Sequence, residues 1–298
     1  MHVNWRGSGS ACDARRPHVA ATSPKATCAF PRVMSFLLKI AITPLLVAAV
    51  SLAARWWGPT IGGILIGLPW FTGPTLFVLI QDKGIDFGVA ACAGIELGVA
   101  CVAAFILAYG LVSVFARWPL SLAGGTAAFA ASAWVAQHPA LLAGAELGTA
   151  GPLWAASGVG LVALAIANLL LPRPRATPAL QALPWWDIPM RMLTTGVLVT
   201  VIVLAADAMG PQLSGIMSTY PVIVTVVGTF THHRWGREAV WRMLRGITAS
   251  LVSFVAFFLV VGLTLAGVGL IASYALASLV ALAITSGLFF LNRARAVS

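Results

Sequence analysis

Charge is the scarcest property of this sequence: Lys, Arg, Asp and Glu together supply only 9% of its 298 residues, whereas ordinary soluble domains carry about a quarter. Hydrophobic residues make up 60%, and the mean hydropathy is +0.95. A chain of this composition lacks the polar groups needed to cover a soluble surface. We therefore predict an integral membrane protein whose principal partner is the lipid bilayer.

The sequence also lacks the motifs of enzymatic chemistry. Its four cysteines have no metal or redox spacing, and it contains no phosphate-binding glycine loop, HExxH segment or plausible Ser/His/Asp set. We predict no enzyme, no metal and no cofactor. His232 and His233 resemble a metal pair, but they adjoin Arg234 and Arg237 without further ligands, so we expect a solvated basic loop there.

The excess of 18 basic over 8 acidic residues is, in a membrane protein, first a sign of topology. Nucleic acid is therefore not an expected partner. Residues 1–33 hold five of the basic residues, one acid and no apolar run, a composition typical of disorder. Two explanations stay open for this segment: a flexible tail, or an over-extended reading frame whose true start is Met34.

Apolar stretches long enough to cross about 30 Å of hydrocarbon predict nine transmembrane helices in an all-α fold. A polar stretch, 172–187, separates a first membrane half, 34–171, from a second, 188–292, and a short tail, 293–298, follows. We expect this linker and the tail in the cytoplasm. The predicted spans are 35–56, 60–81, 85–115, 118–136, 153–171, 188–208, 211–231, 238–264 and 268–291.

The two halves contain a repeat. Residues 39–111 align with 191–263 at an offset of 152 positions without a gap, and 19 of the 73 pairs are identical. Chance would match roughly a tenth in sequence this rich in Ala, Val and Leu, so we predict a duplicated unit of three helices. The most informative identities are Thr43/Thr195, Gly58/Gly210, Pro59/Pro211, Gly63/Gly215, Pro69/Pro221, Gly84/Gly236, Gly94/Gly246, Phe105/Phe257 and Gly110/Gly262.

The distribution of arginine predicts how the helices are oriented. With nine spans and the N-terminus outside, the loop arginines, among them Arg55 and Arg293, fall on the cytoplasmic side, as the positive-inside rule requires. Five helices would then precede the second repeat, so the repeats would be inverted; eight or ten spans would make them parallel. Seven tryptophans near predicted boundaries suit an interfacial belt: Trp56, Trp57, Trp118, Trp154, Trp185, Trp186 and Trp235.

The second helix of each repeat carries the pattern GP-x3-G-I-x4-P, at 58–69 and at 210–221. Proline lacks an N–H and displaces the carbonyl one turn back, so Pro69, for example, would free the carbonyl of Leu65. Such breaks at matching positions of two repeats point to a transporter binding site; a plain kink with tight glycine packing is the alternative. The breaking prolines are Pro69, Pro74 and Pro221, and the candidate substrate-binding residues are Trp70, Thr72, Ser218, Thr219, Tyr220 and Thr225.

Glu96 is the one carboxylate deep inside a predicted span, twelve residues after Gly84 and hence about 18 Å into the helix. An ionisable group at that depth is costly and is a functional candidate. Two roles stay open: a proton carrier that couples transport to an ion gradient, or a structural ion pair with Arg245 of the second repeat. Lys39 and Arg191 lie near helix ends, so we expect their charged ends to reach the membrane surface rather than to bind an anion.

The paired GP-x3-G-I-x4-P segments, followed by GPTLFVLI in one half and VTVVGTFTHHRWG in the other, resemble those of a group of uncharacterised bacterial inner-membrane proteins. The similarity covers about 34–292. It implies a multi-pass helical fold in the bacterial inner membrane and carries no substrate with it.

These features together predict a secondary transporter of a small molecule. Nothing in the sequence binds ATP, so transport would be driven by an ion gradient or be facilitative. The N-terminus would lie outside and the C-terminus in the cytoplasm, and a homo-oligomer is compatible with the sequence. The alternative is a non-transporting assembly or lipid-handling factor in which the repeat is purely architectural, and a membrane enzyme comes third.

Overall fold

The computed structural model describes residues 29–69, 72–136, 150–175, 184–209 and 220–297. All regular secondary structure in these ranges is helical. The helices are α1 (Ala29–Trp57), α2 (Pro59–Ile66), α3 (Thr72–Lys83), α4 (Ile85–Val112), α5 (Trp118–Ala136), α6 (Ala150–Leu170), α7 (Asp187–Met209), α8 (Val222–Val268) and α9 (Leu270–Val297).

The chain divides between Leu38 and Lys39 into two units. The described part of the first unit, 29–38, is helical, so the first helix begins ahead of Met34, and disorder in the predicted tail, 1–33, stays a prediction. The rest of that tail lies outside the described residues. The second unit begins at Lys39.

Five of the described helices are long and apolar enough to cross a membrane: α4, α5, α6, α8 and α9. The predicted span 60–81 is divided between α2, with 8 residues, and α3, with 12. At 1.5 Å per residue neither half crosses the hydrocarbon alone. The described helices thus establish several membrane crossings, and the count of nine stays a prediction.

Glycines with positive φ separate consecutive helices. α8 has non-helical geometry at Gly236 (φ 76°, ψ −176°), so it consists of two helices, α8a (222–235) and α8b (237–268). Gly84, between α3 and α4, has nearly the same geometry (φ 94°, ψ 173°). A side chain at positive φ would clash with the backbone, so glycine suits both turns. The repeat alignment pairs these two glycines.

Helix α4 lies at the centre of the bundle, packed against α5, α6 and α8b. It runs antiparallel to α8b: the Trp241 indole N–H donates to Ser113 Oγ at 2.8 Å, whereas Cys92, near the other end of α4, lies against Gly262. The core around them is built from large buried side chains such as Phe105, Ile106, Tyr109, Met243 and Ile247. Aliphatic and aromatic packing therefore holds this pair of helices together with the hydrogen bond between Trp241 and Ser113.

Helix α2 crosses α8b at two glycines. A Cβ built on Gly63 would clash with the main-chain oxygen of Met243, and one built on Gly246 would lie 2.5 Å from the carbonyl oxygen of Thr60. Small residues let membrane helices approach this closely. The short helix α2 is therefore held by direct contact between two backbones.

The tryptophans predicted at membrane boundaries do not all lie at the surface. Trp56, Trp57, Trp154, Trp185 and Trp186 are exposed, as a lipid or interfacial contact requires. Trp235 is only 8% exposed and packs against Ala239. Trp235 therefore packs inside the bundle next to the turn at Gly236 rather than against lipid.

Candidate functional site

The first helix break lies between α2 and α3. The Leu65 carbonyl, which was predicted to be free, accepts a hydrogen bond from the Leu68 N–H at 3.4 Å. The Pro69 carbonyl likewise accepts a hydrogen bond from the Gly73 N–H at 3.1 Å. The prediction for Leu65 is wrong because a tighter turn at the helix end satisfies the last carbonyls. Trp70, whose carbonyl Pro74 was expected to free, lies outside the described residues.

Two aromatic residues from distant helices cover this first break. The Tyr274 hydroxyl of α9 donates to the Gly73 carbonyl at 3.1 Å. The Phe257 ring of α8b would lie 3.7 Å from a Cβ on Gly73, and its centroid is 5.6 Å from that of Tyr274 in edge contact. Thr72, half-buried, is the predicted site residue next to them.

The second break precedes α8a. Ser218, Thr219 and the carbonyl of Met217 lie outside the described residues, whereas Tyr220 and Pro221 are described. The Tyr220 hydroxyl lies 2.9 Å from Thr126 Oγ1 and accepts a hydrogen bond from Thr225 Oγ1 at 3.2 Å. The structure thus brings two predicted site residues, Tyr220 and Thr225, together with Thr126 of α5, which sequence reasoning missed.

Phenylalanine also covers the second break. Phe105 of α4 is fully buried, and its ring meets that of Tyr220 edge-on at 6.1 Å, while Phe129 approaches Tyr220 at 5.4 Å. Phe105 belongs to the first half of the chain and covers the break of the second; Phe257 belongs to the second half and covers the break of the first. The two phenylalanines are paired by the repeat alignment.

Glu96 is fully buried, and neither carboxylate oxygen has a hydrogen-bond partner among the described residues. It lies on the buried stripe of α4 that includes Cys92 and Val99, and its main chain faces Gly160 of α6. A charged carboxylate without a partner in an apolar interior is very unfavourable. A charged Glu96 would therefore need a partner from outside the described residues, or a bound cation; otherwise the carboxyl carries a proton.

Of the two roles left open for Glu96, the ion pair with Arg245 is not formed. Arg245 donates from Nη1 to the Leu171 carbonyl at 3.1 Å, and Leu171 packs against Gly110 of α4. Gly110 is fourteen residues from Glu96, about 21 Å along the helix. Depth along a helix was readable from the sequence, but because α4 and α8b are antiparallel the two residues lie at different heights.

The expectation that Arg191 reaches the membrane surface is also wrong. Its side chain is 1% exposed and donates from Nε to Asp187 Oδ2 at 2.7 Å. Arg234 Nε lies 3.4 Å from the other oxygen of the same carboxylate. The spacing of Asp187 and Arg191, four residues apart in α7, is the signal that could have predicted this pair. The side chain of Lys39 is not among those described.

The segment 232–238 is helical on both sides of the turn at Gly236, so the prediction of a loop is wrong, although His233 and Arg237 are exposed as a solvated segment requires. His232 Nδ1 lies 3.3 Å from the Tyr109 hydroxyl, and Arg237 donates from Nη1 to the Val114 carbonyl at 3.0 Å. Thr225, Thr229 and His232 continue one face of α8a at helical spacing. That spacing was the available signal for a helix rather than a loop.

Two shallow apolar grooves on the described part of the chain do not border either break. One is an open apolar groove on the exposed side of α6, lined by Ala155, Gly158, Val159, Val162, Ala163 and Ile166. The other lies on α7 and is lined by Met192, Leu193, Gly196, Val197, Thr200 and Val201. Open apolar grooves suit contact with lipid chains, and a substrate cavity at the breaks stays a prediction.

Long apolar helices, a centre of buried aromatic packing and exposed tryptophans make this chain an all-helical multi-pass membrane protein. No family model, curated protein or solved structure matches it. Its function is therefore inferred from its own residues.

Proposed function

We propose that this protein is a secondary transporter of a small molecule in the bacterial inner membrane, built from two inverted repeats. The substrate path would pass the two helix breaks. The observation that carries the proposal is the crossed packing at these breaks, where Phe105 covers the break beside Tyr220 and Phe257 covers the break beside Gly73. Broken helices paired between two repeats are typical of transporter sites.

Contacts between α4 and α8b support the inverted arrangement. Gly110 lies against Leu244, and Gly262 lies against Cys92. In the repeat alignment Gly110 corresponds to Gly262, and Cys92 corresponds to Leu244. The second contact is therefore the first contact with each residue replaced by its equivalent in the other repeat. Such an exchange between antiparallel helices is what a two-fold axis in the membrane plane produces.

A contact between α1 and α7 supports the same axis. A Cβ on Gly196 would lie 3.9 Å from Pro44 Cγ, and the repeat alignment pairs these two positions. A residue that contacts its own equivalent lies close to a two-fold axis. The matching geometry of Gly84 and Gly236 agrees with a repeated backbone.

The breaks offer the groups that a small polar ligand needs. The Tyr220 hydroxyl contacts the hydroxyls of Thr126 and Thr225 at one break, and the Gly73 carbonyl accepts the Tyr274 hydroxyl at the other. At each break one of the covering rings is a phenylalanine from the opposite half of the chain, Phe105 or Phe257. Moving one ring while the other stays in place would open one break at a time, which is the requirement of alternating access.

Glu96 supplies a means of coupling to a proton gradient. Its carboxyl is buried without a partner in the described part of the chain, so its charged form is stable only while water or a cation has access to it. A conformational change that opened this region would release the proton, and closure would require its uptake. The movement of the bundle and the protonation of Glu96 would then depend on each other.

Thiol labelling tests the proposal. In a background without native cysteines, Thr72→Cys and Thr225→Cys should react with a water-soluble reagent in membranes, whereas Val159→Cys, in the lipid-facing groove of α6, should stay inert. Phe105→Leu should speed labelling at Thr225→Cys several-fold and leave Thr72→Cys unchanged; Phe257→Leu should do the reverse. Leucine is used because truncating a buried Phe to Ala costs about 3–5 kcal/mol.

Unreactive cysteines at both breaks, in protein shown to be folded, would contradict the proposal and favour an assembly or lipid-handling factor. Equal effects of both leucine variants at both cysteines would contradict the crossed arrangement. Where labelling follows the expected pattern, uptake of labelled compounds into proteoliposomes, with and without a pH gradient, identifies the substrate.

A further inference from the structure

A cluster of charges at the start of α7 has more positive than negative groups. Asp187 accepts a hydrogen bond from Arg191 Nε and lies 3.4 Å from Arg234 Nε. Asp187 and Arg191 are buried, and Arg234 is 26% exposed. One carboxylate cannot neutralise two guanidinium groups, so the cluster carries a net charge of about +1, which is unfavourable where water is largely excluded.

The donors of this cluster are not all used. Arg191 Nη2 has no hydrogen-bond partner within the described ranges, and Arg234 Nε approaches Asp187 without forming a hydrogen bond. The guanidinium planes are held in position: Arg191 lies 5.0 Å from the centroid of Phe230, and Arg234 lies 4.6 Å from that of Trp186. A buried, oriented donor without an acceptor is costly unless a ligand supplies the acceptor.

The neighbouring acidic residues do not supply that acceptor. Glu238, closest to Arg234 in sequence, accepts the main-chain N–H of Arg175 at 2.9 Å. Asp86 lies in the first turn of α4. Arg237, three residues from Arg234, contacts Val114 at the opposite end of α4, about 40 Å from Asp86 along the helix. Glu96 is also remote from that end. The missing negative charge must come from outside the chain or from a residue far away in sequence.

The position of the cluster indicates the kind of anion. Its more exposed member, Arg234, lies beside Trp186, and the adjacent Trp185 is 86% exposed. Exposed tryptophans are typical of the boundary between lipid and water, and basic pockets between helices at this boundary bind anionic lipid headgroups. Guanidinium groups are suited to phosphate because their paired donors match its oxygens.

We propose that Arg191 and Arg234 bind the phosphate of an anionic phospholipid. Asp187 holds Arg191 through Nε and leaves Nη2 for the phosphate, while Arg234 approaches from the exposed side. The site is separate from the helix breaks, and it does not depend on whether the protein transports a substrate. Its occupation would tie the start of α7 to α8a and to the membrane surface.

The test compares the full-length wild-type protein with Arg234→Gln and with Arg237→Gln, which removes the same charge three residues away. Each is reconstituted in nanodiscs of phosphatidylcholine, with or without phosphatidylglycerol, and retained lipid is counted by native mass spectrometry. Wild type and Arg237→Gln should retain phosphatidylglycerol in preference to phosphatidylcholine. Arg234→Gln should retain it about tenfold less, because a hydrogen bond to a charged group is worth about a power of ten in affinity.

Thermal stability gives an independent readout. In phosphatidylcholine alone, Arg234→Gln should melt no lower than wild type, because its remaining Asp187–Arg191 pair is neutral; phosphatidylglycerol should raise the Tm of wild type and not that of Arg234→Gln. Equal losses in Arg234→Gln and Arg237→Gln would mean diffuse surface attraction and overturn the proposal. Inorganic phosphate that raised the wild-type Tm as much as phosphatidylglycerol would also overturn it, in favour of a free anion.

Discussion

Gly246→Ala tests the backbone contact between α2 and α8b most directly. The added Cβ would lie 2.5 Å from the Thr60 carbonyl oxygen, about 0.9 Å closer than ordinary van der Waals contact. Because the opposing atom is main chain, no side chain can turn aside, and α2 must move away as a unit. Overpacking of this kind costs about 1–3 kcal/mol.

The displacement has a second cost. Ser250 Oγ donates to the Gly63 carbonyl at 3.4 Å across the same contact, and losing a hydrogen bond contributes about 0.5–1.5 kcal/mol. The alanine itself favours the helix by about 0.5–1 kcal/mol, so we expect Gly246→Ala to lower the free energy of unfolding by about 1–3.5 kcal/mol in total. The measurement is a titration of the detergent-solubilised protein with SDS, followed by circular dichroism.

Gly158→Ala is the matched control. Gly158 is an exposed helical residue on α6, and a Cβ there meets no other described atom within 4 Å. Replacing glycine by alanine inside a helix should then stabilise it by about 0.5–1 kcal/mol. If Gly246→Ala unfolded within about 0.5 kcal/mol of wild type, close backbone contact would not be what holds α2, and the reasoning would be refuted.

Three other predictions concern buried charge and topology. Glu96→Gln should change stability by less than about 1 kcal/mol, because no partner is lost, yet abolish the pH dependence of transport in proteoliposomes; unchanged pH-driven transport would remove Glu96 from the mechanism. Its effect on unfolding should add to that of Arg245→Gln, since the two residues are not in contact. Reporter fusions after Ser113 and at the C-terminus should report the cytoplasm, and a fusion at Gly148 should report the outside. A C-terminus that lies outside would contradict the inverted repeats.

Much of the helical structure was predictable because it depends on local properties. The predicted span 118–136 coincides with α5, and α4 begins at Ile85, one residue after the glycine expected to precede it. The length of an apolar stretch and the position of glycine and proline limit where a membrane helix can begin and end. The same local chemistry located the break after α2, because Pro69 cannot continue the helix.

The partners of the polar residues were decided only by tertiary structure. The sequence placed Glu96 and Arg245 at similar depths in their own helices, but the antiparallel contact between α4 and α8b puts Arg245 beside Leu171 instead. It also left open that Arg191 is buried between Asp187 and Phe230. Helical periodicity specifies which residues lie on the same face of one helix. It does not specify which other helix these residues contact. That choice depends on packing between segments far apart in the chain, where the fit of glycine against backbone and ring against ring decides the neighbours.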